Sequence, residues 1–181
     1  ELEQQVATRK QERTEDLTRI TQEKENQRDV AVARIAQELK TYTLRIRTSS
    51  WPLNLALLRK IESEGLQPNI SHYNAAITVC GKAKRFQAAL ELLQKMRQRG
   101  LKPDVISYNA AISACEKGAQ VELAVELLQE MRQRGLKPNV ISYNAAISAC
   151  EKGAQVALAL ELLKEMRQRG LKPDVISYNA A

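Results

Sequence analysis

Histidine and cysteine are the residues of this chain that could act as nucleophiles or bind a transition metal, and they are few. The 181 residues include one histidine, His72, and three cysteines, Cys80, Cys115 and Cys150. A zinc site needs four converging ligands, usually in closely spaced pairs, whereas these cysteines stand singly at intervals of 35 residues. No glycine-rich phosphate loop occurs, and no orienting partner can be assembled around His72. The sequence therefore predicts no metal site, no cofactor and no enzymatic active site in this segment.

The charge of the chain lies mainly in its second part. The sequence has 28 Lys+Arg against 21 Asp+Glu, a formal net charge of +7. Residues 49–181 carry 18 of those basic residues and 12 of the acidic ones, which is +6 of the total. A basic surplus attracts polyanions through long-range electrostatics and counterion release, and it is also an ordinary means of staying in solution. Charge by itself therefore leaves a polyanion partner and a solubility role equally open.

An internal repeat determines the expected architecture. The composition, with 7 Gly, 5 Pro and 4% aromatic residues, is typical of helices rather than strands. Several residue types recur with a period of 35. They are Gly65, Gly100, Gly135 and Gly170; Pro68, Pro103, Pro138 and Pro173; Tyr73, Tyr108, Tyr143 and Tyr178; and the three cysteines. A period of this length is the signature of stacked helical units.

Each unit is predicted to form two helices. Helix A is expected over Ile106–Lys117, with Gly118 supplying a permissive backbone just past its end. Helix B is expected from Val121 to Met131 and beyond, with Gly135 as its left-handed stop. A hairpin this short cannot bury both of its apolar faces, so neighbouring units must stack. We therefore predict an all-α protein, a right-handed α-solenoid of 35-residue helical hairpins with a charged N-terminal helix.

The period divides the chain into predicted segments. These are a charged helical N-terminal arm (1–34), a divergent repeat (35–69), three intact repeats (70–104, 105–139 and 140–174) and the start of a further, truncated repeat (175–181). The divergent repeat has its first helix near residues 37–47 and lacks the Tyr-Asn pair. Because the chain stops part-way through a helix A, we expect the natural protein to continue with more repeats.

The N-terminal arm allows two interpretations. Leu2, Val6, Leu17 and Ile20 are too sparse for a heptad seam, and only the Val30 to Leu39 end has the apolar density to anchor a contact. A solvated helix and a helix docked on a partner protein therefore both stay open. The sequence predicts no membrane span, and no targeting peptide is visible in it.

The unit GLKPDVISYNAAISACEKGAQVELAVELLQEMRQR resembles the pentatricopeptide repeat. The shared features are the 35-residue hairpin, Tyr-Asn near the start of helix A, an Ala/Leu/Glu-rich helix B ending in Met, and Gly-Leu-Lys-Pro-Asp at the unit's close. The resemblance is close over residues 70–181 and loose over residues 35–69. The tetratricopeptide repeat, with 34 residues and a different pattern, fits worse.

The resemblance implies binding of single-stranded RNA, one base per repeat. In this family the Asn after the helix A Tyr and the last residue of the unit face one base edge. The pairs are Asn74 with Asp104, Asn109 with Asn139, and Asn144 with Asp174. An Asn/Asp pair prefers uracil and an Asn/Asn pair prefers cytosine over uracil, so the segment would read U-C/U-U from 5′ to 3′. The alternative is that each Asn only bonds the start of a helix.

Two further sets of residues follow from the resemblance. The isoleucines Ile106, Ile141 and Ile176 would wedge between bases, and the lysines Lys82, Lys117 and Lys152 would meet phosphates. Ser71 stands in the wedge position of the first intact repeat. The alternatives are that the isoleucines are core residues and the lysines solvated charges. The cysteines are expected to be small buried hydrophobes, because neighbouring helices lie about 8 to 10 Å apart, too far for a disulfide.

Two functions are consistent with these features. The first is an organellar, mitochondrial or chloroplast, RNA-binding adaptor. The second is a structural scaffold subunit of a large organellar complex, with residues 1–48 contacting protein subunits. An enzyme acting on RNA is unsupported, because no H-x-E with C-x-x-C motif occurs. Tyr108 and Tyr143 are expected to pack in the core, with their hydroxyls bound to local partners.

Overall fold

The computed structural model describes residues 2–180, without the side chains of residues 2, 3, 5–8 and 12. All regular elements in this range are α-helices, which confirms the predicted class. They are α1 (Leu2–Thr48), α2 (Leu53–Ser63), α3 (Ile70–Lys82), α4 (Phe86–Gln98), α5 (Val105–Lys117), α6 (Val121–Gln133), α7 (Val140–Lys152), α8 (Val156–Gln168) and α9 (Val175–Asn179). The predicted arm and truncated repeat each include one terminal residue outside the described range, and the side chains of Leu2 and Val6 also lie outside it.

Helix α1 runs without interruption through the predicted boundary between residues 34 and 35. The sequence before Pro52 has no Gly or Pro, so nothing there ends the helical hydrogen bonding. By contact, the chain divides into the compact units Glu1–Thr41 and Tyr42–Ala181. The side chains of Tyr42 and Ile46 are buried, whereas those described from Arg9 to Glu38 are exposed. Side-chain burial, rather than a break in the helix, therefore sets the division.

The second unit is a succession of helical hairpins with one repeated core. In each intact repeat, helix A packs against its own helix B and against helix A of the next repeat. The buried residues fall in the same register each time. They include Tyr73, Tyr108 and Tyr143; Ile77, Ile112 and Ile147; and Met96, Met131 and Met166. In α2, Leu57, Leu58 and Ile61 are buried in the register of Leu92, Leu93 and Met96.

The cysteines and two tyrosines are core residues, as predicted. Cys80, Cys115 and Cys150 are buried free thiols, and burial raises the pKa of Cys115 to about 11, which keeps it unreactive. The buried Tyr108 hydroxyl accepts a hydrogen bond from Arg97 Nη2 at 3.0 Å. The Tyr143 hydroxyl donates to Glu165 Oε1 at 3.2 Å.

The glycine after helix A has a different role from the one predicted. Gly118 has φ −89°, and it is the following residue, Ala119, that is left-handed, with φ 53°. A Cβ on Gly118 would lie 2.6 Å from Cδ1 of Phe86, so the glycine is required for close packing against the preceding hairpin. Gly135, by contrast, ends helix B at φ 76°, as predicted.

None of the described helices combines the length and the apolar composition needed to cross a membrane. Within the described residues, no group of three or more His, Cys, Asp or Glu side chains is arranged to hold a metal ion.

Candidate nucleic-acid interface

The junction that follows each of the three intact repeats carries a hydrogen-bonded pair of polar side chains. Asn74 Nδ2 donates to Asp104 Oδ1 at 3.2 Å, and Asn109 Nδ2 donates to Asn139 Oδ1 at 3.2 Å. Asn144 Nδ2 lies 2.9 Å from Asp174 Oδ1 and 3.0 Å from Oδ2. The structure thus brings together all three predicted pairs, although their members are 30 residues apart in sequence.

The second member of each pair is the N-cap of the next helix A. Asp104 is extended, with φ −103° and ψ −177°, and its Oδ1 accepts the Ser107 backbone N–H at 2.8 Å. The Asp104 N–H in turn donates to Ser107 Oγ at 3.1 Å, which completes a capping box. Pro103 pushes Lys102, the residue before it, away from helical angles, so the chain reaches the cap in a non-helical conformation. Asn139 and Asp174 make the same capping box with Ser142 and Ser177.

The capping serine also fixes the asparagine of the preceding repeat, a contact that sequence reasoning missed. Ser107 Oγ donates to Asn74 Oδ1 at 2.6 Å. Ser142 donates in the same way to Asn109, and Ser177 to Asn144. With its oxygen bound to a serine, each asparagine must direct its Nδ2 toward the capping residue. The serines recur every 35 residues, three positions after the cap, and this signal could have identified them.

The two kinds of capping residue differ in what they offer to a ligand. Oδ1 of Asp104 takes the bonds from Asn74 and Ser107, so its carboxylate keeps acceptor capacity at Oδ2. Oδ1 of Asn139 takes the equivalent bonds from Asn109 and Ser142. Asn139 therefore has Nδ2, a donor, where Asp104 has an acceptor.

The two capping carboxylates are negatively charged at neutral pH. Burial tends to raise the pKa of Asp104, but hydrogen bonds from the Ser107 backbone and hydroxyl and from Asn74 outweigh it and hold the pKa below its ordinary value. The backbone N–H of Ser177, supported by the Ser177 hydroxyl and Asn144, lowers the pKa of Asp174 against a smaller effect of desolvation.

The three isoleucines beside the pairs are not core residues. Ile106, Ile141 and Ile176 are 64%, 62% and 58% exposed. Each is the second residue of its helix A, one position before the capping serine. An exposed isoleucine at the same place in every junction is an apolar surface available to a flat ligand. Ser71 takes this place in α3 and is also exposed.

The three predicted lysines end successive A helices and are exposed, but they are not equivalent. Lys152 forms an ion pair with Glu116 of the preceding repeat. In that register the earlier repeats have Gly81 and Ile46, which carry no charge. Among the described residues, accordingly, no carboxylate pairs with Lys82 or Lys117.

Several arginines in or just after the B helices are bound to acids of the same or neighbouring hairpins. Arg97 pairs with Glu130 at 2.7 Å, and Arg132 pairs with Glu165. Arg99 pairs with Glu62 at 2.8 Å. These ion pairs neutralise arginines on the B helices. The basic side chains that have no carboxylate partner among the described residues include Lys82 and Lys117 at the ends of A helices.

Family models match most of the second unit. A pentatricopeptide repeat domain model matches residues 56–118, and a PPR repeat family model matches residues 103–152 and 138–181. No curated protein matches the chain.

Solved structures give the same assignment. The crystal structure of the pentatricopeptide repeat protein PPR10 in complex with an 18-nt psaJ RNA element is 29% identical, with a TM-score of 0.70, over 78% of this chain and 21% of that one. The structure of PPR10 from maize is 28% identical, with a TM-score of 0.63, over 84% of this chain and 23% of that one. The chain thus spans about a fifth of the length of PPR10, at 21% to 23%.

A more distant structure has the same fold. The PPR domain of Arabidopsis thaliana protein-only RNase P 1, in complex with tRNA, is 18% identical, with a TM-score of 0.68, over 82% of this chain and 77% of that one. At this identity the likeness shows the fold alone. Together the matches confirm the predicted right-handed α-solenoid.

Proposed function

The chain belongs to the pentatricopeptide repeat family, and we propose that it binds single-stranded RNA with one base at each of its three repeat junctions. The observation that carries the proposal is the capping pair, whose asparagine is fixed by a serine and whose second member keeps one polar atom for a ligand. The RNA complex of PPR10, a relative of the same family, supports it.

The base that each pair selects depends on which polar atom of the capping residue can bond to a ligand. Uracil has an N3–H donor on its Watson–Crick edge, which suits the acceptor Oδ2 of Asp104 and the second lone pair of Oδ2 of Asp174, whose first accepts from Asn144. Cytosine has an unprotonated N3 acceptor there, which suits the donor Nδ2 of Asn139. We therefore propose the reading U-(C/U)-U, with cytosine preferred over uracil in the middle. Both bases are small enough for short amide and carboxylate side chains to reach directly or through one water.

The exposed residues beside the pairs complete the site. Ile106, Ile141 and Ile176 each provide an apolar face against which a base can stack, and Lys82 and Lys117, at the ends of α3 and α5, provide charge for the phosphates. In this proposal the chain binds RNA and does not cleave it. Base stacking contributes about 1–3 kcal/mol per base, so three sites bind weakly and additional repeats would strengthen binding.

An exchange at the middle junction tests the proposal. In Asn139→Asp the donor Nδ2 becomes an acceptor while the cap is kept, so the preference should move from cytosine toward uracil by about 1 kcal/mol, or about fivefold. Binding is measured on U-C-U and U-U-U oligonucleotides by fluorescence anisotropy at low salt. Gln129→Glu, which adds the same charge on an exposed position of α6, is the control.

The expected control result is a small, equal loss of affinity for both oligonucleotides. If Asn139→Asp also weakens both equally, the pairs do not read bases. If the wild-type chain binds neither oligonucleotide at low salt, the RNA-binding proposal is wrong.

A second candidate function is a scaffold subunit that contacts protein. The observation in its favour is the exposure of Val30, Val32 and Ile35 on α1, at 70%, 58% and 43%. An organellar location, mitochondrial or chloroplast, belongs to both candidates and rests on the family resemblance. Imaging of the tagged full-length protein tests the location. Absence of RNA binding together with recovery in a large protein assembly would favour the scaffold.

A further inference from the structure

The row of basic residues at the ends of the A helices begins one repeat earlier than the base-reading pairs. Arg47, in the last turn of α1, stands 35 residues before Lys82, the first member of the lysine row. Thr43 is in the same register as Thr78. The residue in the register of Asn74, however, is Leu39, which has no side-chain amide. The divergent repeat thus keeps a basic residue at the lysine position but has lost the asparagine.

A cavity connects Arg47 to the first reading pair. It has a volume of about 470 Å³ and lies wholly within the second compact unit. Its lining includes Thr43, Arg47, Ser71, Asn74, Lys82 and Ile106. Ser71 has the small side chain at the place where later repeats have an exposed isoleucine, and this leaves room at the first junction. The cavity therefore has Arg47 and Lys82, two cations, on its lining together with the reading residue Asn74.

Arg47 is also available for a ligand. It is exposed, and no carboxylate pairs with it among the described residues. Its neighbour Arg45 differs, since its guanidinium lies over the ring of Tyr42 at 5.5 Å from the ring centre. Lys152, at the opposite end of the basic row, is paired with Glu116. Within the described part of the chain, the members of the row without a carboxylate partner are therefore Arg47, Lys82 and Lys117.

From this arrangement we propose that Arg47 binds the phosphate joining the first read base to one additional nucleotide on its 5′ side, without selecting the base of that nucleotide. The proposal rests on the RNA binding proposed above and on the 5′ to 3′ direction that the family resemblance implies. The guanidinium supplies charge and several donors for phosphate oxygens. No base is selected, because Leu39 in the reading register offers neither donor nor acceptor from its side chain. The chain would then occupy four nucleotides while reading three.

The test compares U-C-U with N-U-C-U, in which N is each of the four bases in turn. The shorter oligonucleotide has a 5′ hydroxyl, so it lacks both the additional nucleotide and its phosphate. For the wild-type chain at low salt, we expect the added nucleotide to raise affinity about fivefold, and equally for all four bases. Arg47→Gln should remove this gain and lower the slope of log affinity against log salt by about 0.7.

Three variants separate the phosphate contact from other effects. Arg47→Lys keeps the charge and should keep most of the gain. Arg59→Gln removes an exposed arginine from α2 and should keep all of it, which controls for net charge. Lys152→Gln should have little effect, because Glu116 already neutralises that lysine. Thermal unfolding followed by circular dichroism verifies that Arg47→Gln is folded, since a basic residue in the last turn also stabilises α1.

The outcomes distinguish this inference from the function on which it rests. If wild type binds U-C-U and the added 5′ nucleotide gives no gain, or a gain that Arg47→Gln retains, the role of Arg47 is wrong and RNA binding stands. A gain that depends on the added base, or that appears only for a 3′ nucleotide, also overturns it. If wild type binds no oligonucleotide, both proposals fail.

Discussion

At the scale of single residues, one serine hydroxyl links the fold to the candidate site. Ser107 accepts a hydrogen bond from the Asp104 N–H and donates one to Asn74. The first bond belongs to a helix cap, and the second sets the orientation of a side chain in the preceding repeat. Sequence reasoning offered bonding of a helix start and base reading as alternatives for each Asn. In the structure the capping box belongs to the second member of the pair, and Asp104 keeps acceptor capacity at Oδ2.

The capping aspartates predict how stability depends on pH. Hydrogen bonds to the charged form hold the pKa values of Asp104 and Asp174 below the ordinary aspartate value in the folded chain. Their contribution is therefore complete at neutral pH and is lost as the pH falls below about 4 through the folded pKa values. The double variant Asp104→Asn, Asp174→Asn should lose less stability than wild type between pH 7 and pH 3.

Urea denaturation at the two pH values measures this difference. At pH 7 the double variant should be nearly as stable as wild type, because Asn and Asp cap helices almost equally well. Asp29→Asn, an exposed aspartate of α1 outside the caps, should leave the pH dependence unchanged. An equal acid sensitivity of the double variant and wild type would contradict the role of the caps.

At the scale of helices, the turn between helix A and helix B needs one residue with a left-handed backbone and one residue without a side chain. Two neighbouring residues, rather than a single glycine, meet these needs. Ala119 takes the left-handed conformation, and Gly118 provides the space for Phe86 of the preceding repeat. Gly153 has the same relation to Val121. Close contact between hairpins therefore requires glycine at position 118, whereas the unfavourable left-handed backbone conformation is adopted by Ala119.

Substitutions at these two neighbouring positions should have opposite effects. Gly118→Ala places a Cβ against Phe86 and should destabilise the chain by about 1–3 kcal/mol, the usual cost of overpacking. Ala119→Gly relieves the left-handed conformation and should stabilise it by up to about 1 kcal/mol. Both are measured by urea denaturation. In a Phe86→Ala background the cost of Gly118→Ala should largely disappear, and a cost that persists would show that Phe86 is not its cause.

At the scale of the whole molecule, ion pairing decides where the basic surplus is available. The net charge is +7, but arginines of the B helices are largely paired with glutamates. Arg47, Lys82 and Lys117 have no carboxylate partner among the described residues. Three phosphate contacts imply a slope of log affinity against log salt of about −2 on single-stranded RNA.

This salt dependence is measured with a U-C-U-containing RNA between 50 and 200 mM salt, the range over which such an electrostatic effect is clear. The triple variant Arg47→Gln, Lys82→Gln, Lys117→Gln should give a slope near zero. A matched triple variant on the B helices, Arg59→Gln, Arg132→Gln, Arg134→Gln, should keep most of the slope. A flat response of the wild-type chain would remove the electrostatic part of the binding model.

The sequence by itself determined the fold class and the hairpins, and the resemblance to a repeat family supplied the partners within each reading pair. A period of 35 residues requires one structure for every unit, so the positions of Tyr108, Met131 and Gly135 follow from the pattern alone. The members of a pair, such as Asn74 and Asp104, came from the family resemblance, and their contact follows once hairpins stack. The helix bounds needed only local signals, namely prolines, glycines and amphipathic spacing.

Only the tertiary structure decided the contacts that cross from one unit to the next. The bond from Ser107 to Asn74, the packing of Gly118 against Phe86 and the ion pair of Lys152 with Glu116 all join residues more than 30 positions apart. Periodicity shows that such residues recur, but it does not show which face of a hairpin meets its neighbour or how closely. The contacting face and its distance depend on how side chains pack in three dimensions. Atoms so distant in sequence come within hydrogen-bonding or van der Waals contact only when the hairpins are stacked.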